Sequence, residues 1–231
     1  MINWILWDID GTLLDFLAAE KYAIRKCFSL MGMGVCTDEM LARYSALNRQ
    51  YWKRMEAGEI TRQEVLIGRF RAFFETEGLD VSKAEEFNLR YQYHLGDHAV
   101  FLPHAKETVL QMKKEYRQCA VTNGTALAQS RKLRASGLDR LLDAVFISEK
   151  MGYEKPNRRF FDSVFAALNA AREETVLIGD SLTSDIQGAM NAGIRSVLYN
   201  PGGNAVPAAY SPDYTVRDLA EIPALPLFQK K

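Results

Sequence analysis

The chain has 231 residues, 48% of them hydrophobic, enough to bury a sizeable core in one large domain or two smaller ones. Its 29 basic and 29 acidic residues give a formal net charge of zero, which excludes a global field drawing the protein to nucleic acid or an anionic membrane; any anion has to be bound locally. Asp8 and Asp10 stand where a signal peptide needs its apolar stretch, no run is long enough to cross a bilayer, and the cysteines Cys27, Cys36 and Cys119 are an odd, scattered set, so the expectation is a cytoplasmic protein with reduced thiols.

The apolar run Trp4-Ile-Leu-Trp7 predicts a buried first strand over residues 2–8, leading straight into Asp8-Ile-Asp10-Gly11-Thr12. A two-residue period puts Leu6, Asp8 and Asp10 on one side, so two carboxylates are expected to emerge together, and a cation, a shared proton or open water has to relieve their repulsion. Residues 15–95 lack proline and repeat apolar residues at helical spacing, as in Leu41, Tyr44, Leu47 and Tyr51. Thr61 with Glu64 and Ser82 with Glu85 have capping-box spacing, and Gly58, Gly78 and Gly96 stand where helices should end, which predicts four helices. Next come short apolar or β-branched runs at 119–122, 144–147, 176–178 and 196–198. They alternate with helical stretches starting near Pro103, Ala126, Pro156 and Ser184, the pattern of βαβ units on a parallel sheet. The helical block, residues 15–95, is then an insertion into an α/β core formed by residues 1–14 and 96–231. As a second domain it is expected to open and close about hinges near Leu14 and Gly96. Five of the seven prolines follow residue 200, which predicts a looser tail with one edge strand around 214–216.

Ligands of an open parallel sheet bind outside the carboxyl ends of its strands. The first strand presents Asp8 and Asp10 there, the second Thr122, Asn123 and Gly124, and the strand ending at Ile178 presents Gly179, Asp180 and Asp185; Lys155 lies in a loop just before Pro156. Singly, each reads as a turn, a helix cap or a solvated side chain; jointly, at one sheet edge, they point to a site. The set suits Mg²⁺ with a phosphate substrate, Asp8, Asp10, Asp180 and Asp185 being the candidate metal-site residues. Asp8 is placed to attack phosphorus in line, and Asp10 to protonate the leaving oxygen and later to deprotonate water. Thr122, Lys155 and the backbone N–H groups around Asn123 and Gly124 are suited to hold the phosphoryl oxygens, with Asp185 orienting Lys155 or a metal-bound water. Elsewhere the bland reading prevails. Arg69, Arg71 and the run Arg131, Lys132, Arg134 read as solvated helix faces, His94, His98 and His104 as hinge or surface residues. Tyr44, Tyr51, Trp52, Tyr91 and Tyr93 read mainly as helix packing, with stacking on a base as the minor alternative.

Four motifs carry a resemblance: Asp8-Ile-Asp10-Gly-Thr; Val121-Thr122-Asn123-Gly124; Lys155-Pro156 followed by Phe160; and Gly179-Asp180-Ser-Leu-Thr-Ser-Asp185. In this order they resemble the haloacid dehalogenase-like phosphohydrolase superfamily. The resemblance implies a Rossmann-like parallel-sheet core with an inserted all-α cap, a Mg²⁺ requirement and an aspartyl-phosphate intermediate. It makes Asp8 the nucleophile and a metal ligand, Asp10 the acid/base that also gives its carbonyl to the metal, Asp180 the acidic metal ligand, Thr122 and Lys155 phosphate ligands, and Asp185 a supporting residue. A narrower similarity, to bacterial pyrimidine 5′-nucleotidases, runs through Asn48-Arg-Gln-Tyr-Trp52, Gly58-Glu-Ile60-Thr, Gly68-Arg69-Phe70 and Gly179 to Ile186, continuing to Asn191-Ala-Gly193. It implies a small phosphorylated metabolite as partner, a nucleoside monophosphate such as dUMP or dTMP. A sugar-phosphate phosphatase or phosphomutase is the alternative within the superfamily. A non-hydrolytic receiver-like phosphoacceptor fits less well, because a helical block is inserted and a further strand separates Thr122 from Lys155.

Overall fold

Six parallel strands, β1 (Trp4–Trp7), β2 (Arg117–Thr122), β3 (Ala144–Ile147), β4 (Thr175–Gly179), β5 (Arg195–Tyr199) and β6 (Tyr214–Val216), pair in the order β3-β2-β1-β4-β5-β6. The structure, a computed structural model, describes residues 1–229. β1 is central: Trp4 faces Arg117 of β2 on one side and Thr175 of β4 on the other. The chain builds outwards through β2 and β3, then returns to build β4, β5 and β6, so its topological switch point lies between β1 and β4. Each predicted strand is present, the inner ones differing from expectation by one or two residues at their ends, where ladder hydrogen bonds rather than side-chain pattern fix the limits.

The inner strands are buried on both faces, which is why they read as unbroken apolar runs. Their period of two nevertheless sorts the core: Ile5, Trp7, Ala120, Val176 and Ile178 pack on one face, Trp4, Leu6, Cys119, Val121 and Leu177 on the other. The first layer includes α5 (Ala105–Met112), and also Val216, Leu219, Ile222, Leu227 and Phe228. The tail is therefore irregular only in its first part: residues 201–213 hold no helix or strand and are mostly exposed, whereas Pro223 and Pro226 stand in short 3₁₀ turns whose apolar residues complete the core, which overrides their breaker character.

Four helices fill the insertion: α1 (Phe16–Leu30), α2 (Asp38–Glu56), α3 (Arg69–Glu77, entered through a π turn at Glu64–Gly68) and α4 (Ala84–Leu95). An aromatic cluster joins them, with Phe70 stacked on Tyr44 at 5.2 Å and tilted against Phe87 at 4.9 Å. Thr61 and Glu64 exchange the expected bonds. Ser82 caps nothing: its N–H and hydroxyl both donate to Asp80, which starts the turn instead. The remaining helices are α6 (Ala126–Ser136), α7 (Leu138–Leu141), α8 (Ser148–Met151), α9 (Arg158–Leu168) and α10 (Gln187–Ala192). Among the described residues no helix is long and apolar enough to cross a membrane.

Candidate active site

Asp8 is the last residue tied into the sheet, its N–H donating to the Ile178 carbonyl of β4 at 2.9 Å, so its side chain emerges at the switch point. There the Lys155 ammonium, 1% exposed, spends its three protons on Asp8 Oδ1 at 2.7 Å, Asp185 Oδ1 at 2.7 Å and the Val121 carbonyl at 2.8 Å. The Thr12 hydroxyl lies between Asp8 Oδ2 at 3.2 Å and Asp180 Oδ1 at 3.1 Å. Gly11 lets the chain pass over this group at φ +94°; a Cβ there would sit 2.6 Å from Asp180 Oδ2.

Carboxylate oxygens of Asp8, Asp180 and Asp185 lie within 4.8 Å of one another, with a single ammonium among them. Burial raises the Asp8 pKa well above the ordinary carboxylate range, Lys155 opposes this, and the charges of Asp185 and Asp180 add to it. Asp180 opens to the cavity yet is crowded by protein; burial and then Asp185 push it up to about 7. Burial alone would lower the Lys155 pKa, but Asp185 and Asp8 hold it above its ordinary value. This donor set, oxygen-only and, with its three carboxylates ionised, short of two positive charges beside the one ammonium, fits a hard divalent cation at Asp8 and Asp180. Asp185 is completely buried and committed to Lys155 and to the Ser181 N–H at 3.0 Å, so it acts on the site through them.

Thr122 ends β2, and its Oγ accepts from the Gly124 N–H at 3.1 Å; the next helix is capped by Thr125, not by Thr122. The Asn123 amide binds the Lys155 backbone at both N–H (2.9 Å) and carbonyl (2.8 Å), locking the β2 loop to the loop that carries the lysine. Arg62, from the helical insertion, reaches the same two loops. It donates to the Asn123 carbonyl at 2.9 Å, Ser148 Oγ at 2.6 Å and Glu154 Oε1 at 3.1 Å. Nothing in its local sequence distinguishes it from a solvated arginine.

Asp10 lines the same cavity as Asp8 but has counter-groups of its own: Lys132 Nζ lies 2.6 Å from its Oδ1 and Gln129 Nε2 2.6 Å from its Oδ2. The crowding around Asp8 comes from Asp185 and Asp180. Lys132 is accordingly no surface residue but 1% exposed, whereas Arg134 is exposed and Arg131 lies over the Tyr93 ring at 3.6 Å. Helical spacing was the available signal, because Ala128, Gln129, Lys132 and Leu133 share the buried face of α6.

Asp8, Asp10, Thr122, Asn123, Lys155, Asp180 and Asp185 line one cavity of about 780 Å³ beneath the helical insertion, whose wall includes Phe16, Asn48, Trp52, Arg69, Tyr91 and Gln92. Arg69 is 1% exposed, contrary to the solvated face expected. It donates to Asn48 Oδ1 at 2.7 Å and packs against Phe70 and Tyr91, whose ring centroids lie 4.9 and 5.2 Å from its guanidinium carbon. Tyr44 and Tyr91 are interior; Trp52 is a half-buried ring on the cavity wall. His94, His98 and His104 face separate partners, Asp97, Tyr22 and Asp218.

Glu56 closes α2 and accepts a hydrogen bond from Thr183, in the loop between Asp180 and Asp185. Burial raises its pKa from 4.5 to about 7, the Thr183 bond opposing and Asp185 adding. The folded chain therefore keeps this proton between pH 4.5 and 7 while the unfolded chain releases it. Stability is full below pH 4.5 and declines as pH rises through that window, by at most about 3 kcal/mol. In metal-free buffer, Glu56→Gln should match the parent's Tm near pH 4.5 and exceed it by several degrees at pH 8. An equal difference at both pH values contradicts the assignment.

An α/β fold with this site, taken with its relatives, is a phosphoric monoester hydrolase. The chain belongs to the haloacid dehalogenase-like hydrolase family, whose model matches residues 5–199. It is 35% identical over 202 residues to the pyrimidine 5′-nucleotidase PynA of Streptococcus pneumoniae, covering 86% of this chain and 84% of that protein. It is 28% identical over 224 residues to the pyrimidine 5′-nucleotidase YjjG of Escherichia coli (96% and 97%). The crystal structure of the HAD-hydrolase YfnB of Bacillus subtilis, bound to magnesium and revealing interdomain movement, superposes with a TM-score of 0.91 at 32% identity, over 96% of this chain and 97% of that one.

Proposed function

We propose that the protein hydrolyses nucleoside monophosphates, pyrimidine nucleotides such as dUMP foremost, by transferring the phosphoryl group to Asp8. One observation carries the chemistry: Asp8, Asp180 and Asp185 cluster at the floor of a cavity large enough for a nucleotide, with Asp8 and Asp185 sharing a single buried ammonium. Asp8 and Asp180, with the Asp10 backbone carbonyl, would hold Mg²⁺. Bound there, the cation supplies the missing positive charge at the substrate phosphate and the carboxylates.

Asp8 attacks phosphorus as the bond to the leaving oxygen breaks, and Asp10 gives that oxygen its proton. Water then attacks the aspartyl phosphate, Asp10 takes a proton from it, and Asp8 is restored with release of inorganic phosphate. Thr122 and Lys155 stabilise the equatorial oxygens in both steps. Asp185 keeps Lys155 charged and aimed, and Asn123 fixes its loop. Residues 15–95 act as a cap that excludes water during transfer, docked through Arg62 and Glu56.

The nucleotide reading is supported by the half-buried Trp52 ring on the cap wall, suited to stacking on a flat base, and by Arg69 on the same wall, whose buried Nε has no hydrogen-bond partner among the described residues. It is supported as well by the names of PynA and YjjG. A panel of pyrimidine and purine nucleoside monophosphates, hexose phosphates and phenyl phosphates, assayed for phosphate release with Mg²⁺ and with chelator, tests it. The highest kcat/KM is expected for a pyrimidine nucleotide, with loss of turnover on chelation. Preference for a sugar phosphate would replace the substrate assignment, isomerised product would mark a mutase, and no turnover of any ester by folded protein would overturn the whole reading.

A further inference from the structure

We infer that Lys132 and Gln129 are positioning residues that hold the Asp10 carboxyl group in the orientation from which it serves the leaving oxygen. The inference rests on the reading of Asp10 as the acid/base and goes beyond it, since the side-chain hydrogen bonds of both residues go to Asp10 and not to Asp8, Thr122, Lys155 or Asp180.

Lys132 and Gln129 stand three apart on α6 and so project from one helix face. Each takes one oxygen of Asp10, at 2.6 Å, which leaves the carboxyl group little freedom about its terminal torsion. The arrangement is costly to build. Lys132 is 1% exposed with Asp10 as its counter-charge, an ion pair taken out of water, and its Nζ lies 5.1 Å from the Phe16 ring centroid at the start of the cap. Room for the amide is reserved as well: a Cβ at Gly124 would come within 2.1 Å of Gln129 Nε2.

Gln129 Oε1 is buried and has no hydrogen-bond partner among the described residues. The amide therefore has an acceptor to spare beside the Asp10 carboxyl group, whose other oxygen stays with Lys132.

The dependence of kcat/KM on leaving group tests the clamp, because kcat/KM reports the steps up to phosphoryl transfer, and a well-placed acid matters most when the departing oxygen is basic. Phenyl phosphate and 4-nitrophenyl phosphate share a shape but differ in that basicity. With Mg²⁺ present, Lys132→Met should lower kcat/KM for phenyl phosphate on the order of tenfold more than for 4-nitrophenyl phosphate. Gln129→Leu, which keeps the ion pair, should do so more weakly, and Asp10→Asn more strongly. A general loosening of the fold lowers both esters alike. If both folded variants reduce the two esters equally or not at all while Asp10→Asn discriminates between them, the clamp is refuted and the reading of Asp10 stands. If Asp10→Asn fails to discriminate, that reading falls and the clamp with it.

Discussion

Asp8→Asn should cost phosphomonoester turnover at least on the order of 10⁴-fold, since it removes the group that bonds to phosphorus. The same change should leave the metal-free protein at least as stable as the parent, an outcome unusual for a buried carboxylate 2.7 Å from a lysine. Asp8, Asp180 and Asp185 crowd one ammonium, and burial with the neighbouring charges already pushes Asp8 well above its ordinary pKa. The Asn oxygen can still accept from Lys155, and one uncompensated charge disappears. Initial rates with Mg²⁺ and thermal melts in chelator check the two halves. Activity within tenfold of the parent, or a melting point many degrees lower, contradicts the assignment.

Lys155→Met should be damaging on both counts. It removes three hydrogen bonds at once and leaves Asp185, wholly buried, facing Asp8 and Asp180 with no positive charge between them. Breaking a buried pair from one side costs about 3–5 kcal/mol, roughly a ten-degree fall in Tm for a chain of this size. Turnover should fall with it, as phosphoryl oxygens lose their cation. Adding Asp8→Asn to Lys155→Met should recover part of the lost stability and none of the activity, because the defect is excess negative charge. A Tm for Lys155→Met close to that of the parent would show that the ammonium does not balance the carboxylates.

How far the site was legible in advance follows from where each residue takes its partners. Asp8, Thr122 and Asp180 stand at strand ends, and a parallel sheet brings such ends to one edge whatever the loops do, so their convergence could be read from the alternation of strands and helices. Asp10 could not be placed by the same period: β1 stops at Trp7, the next residues turn, and Asp10 bridges to Leu14. Its side chain is aimed by α6, not by the strand. At Lys132 and Arg69 helical phase, not charge, decides burial. Each faces inward with its neighbours, and partners from other helices compensate it. Arg62 and Glu56 carry no local mark at all, since their partners lie 61 and 127 residues away. The end of the tail is hidden for the opposite reason: its prolines are conspicuous, whereas burial of Leu219, Ile222 and Phe228 depends on a core face assembled from distant strands.

Trapping the covalent intermediate tests the central claim most directly. Turnover of a phosphomonoester is quenched rapidly and the protein treated with borohydride, which reduces an aspartyl phosphate to homoserine, and the peptide spanning residues 1–14 is then read by mass spectrometry. Homoserine at position 8, dependent on both Mg²⁺ and substrate, is the expected result. Active enzyme that yields none, or that yields it at Asp10, Asp180 or Asp185 instead, would contradict the account.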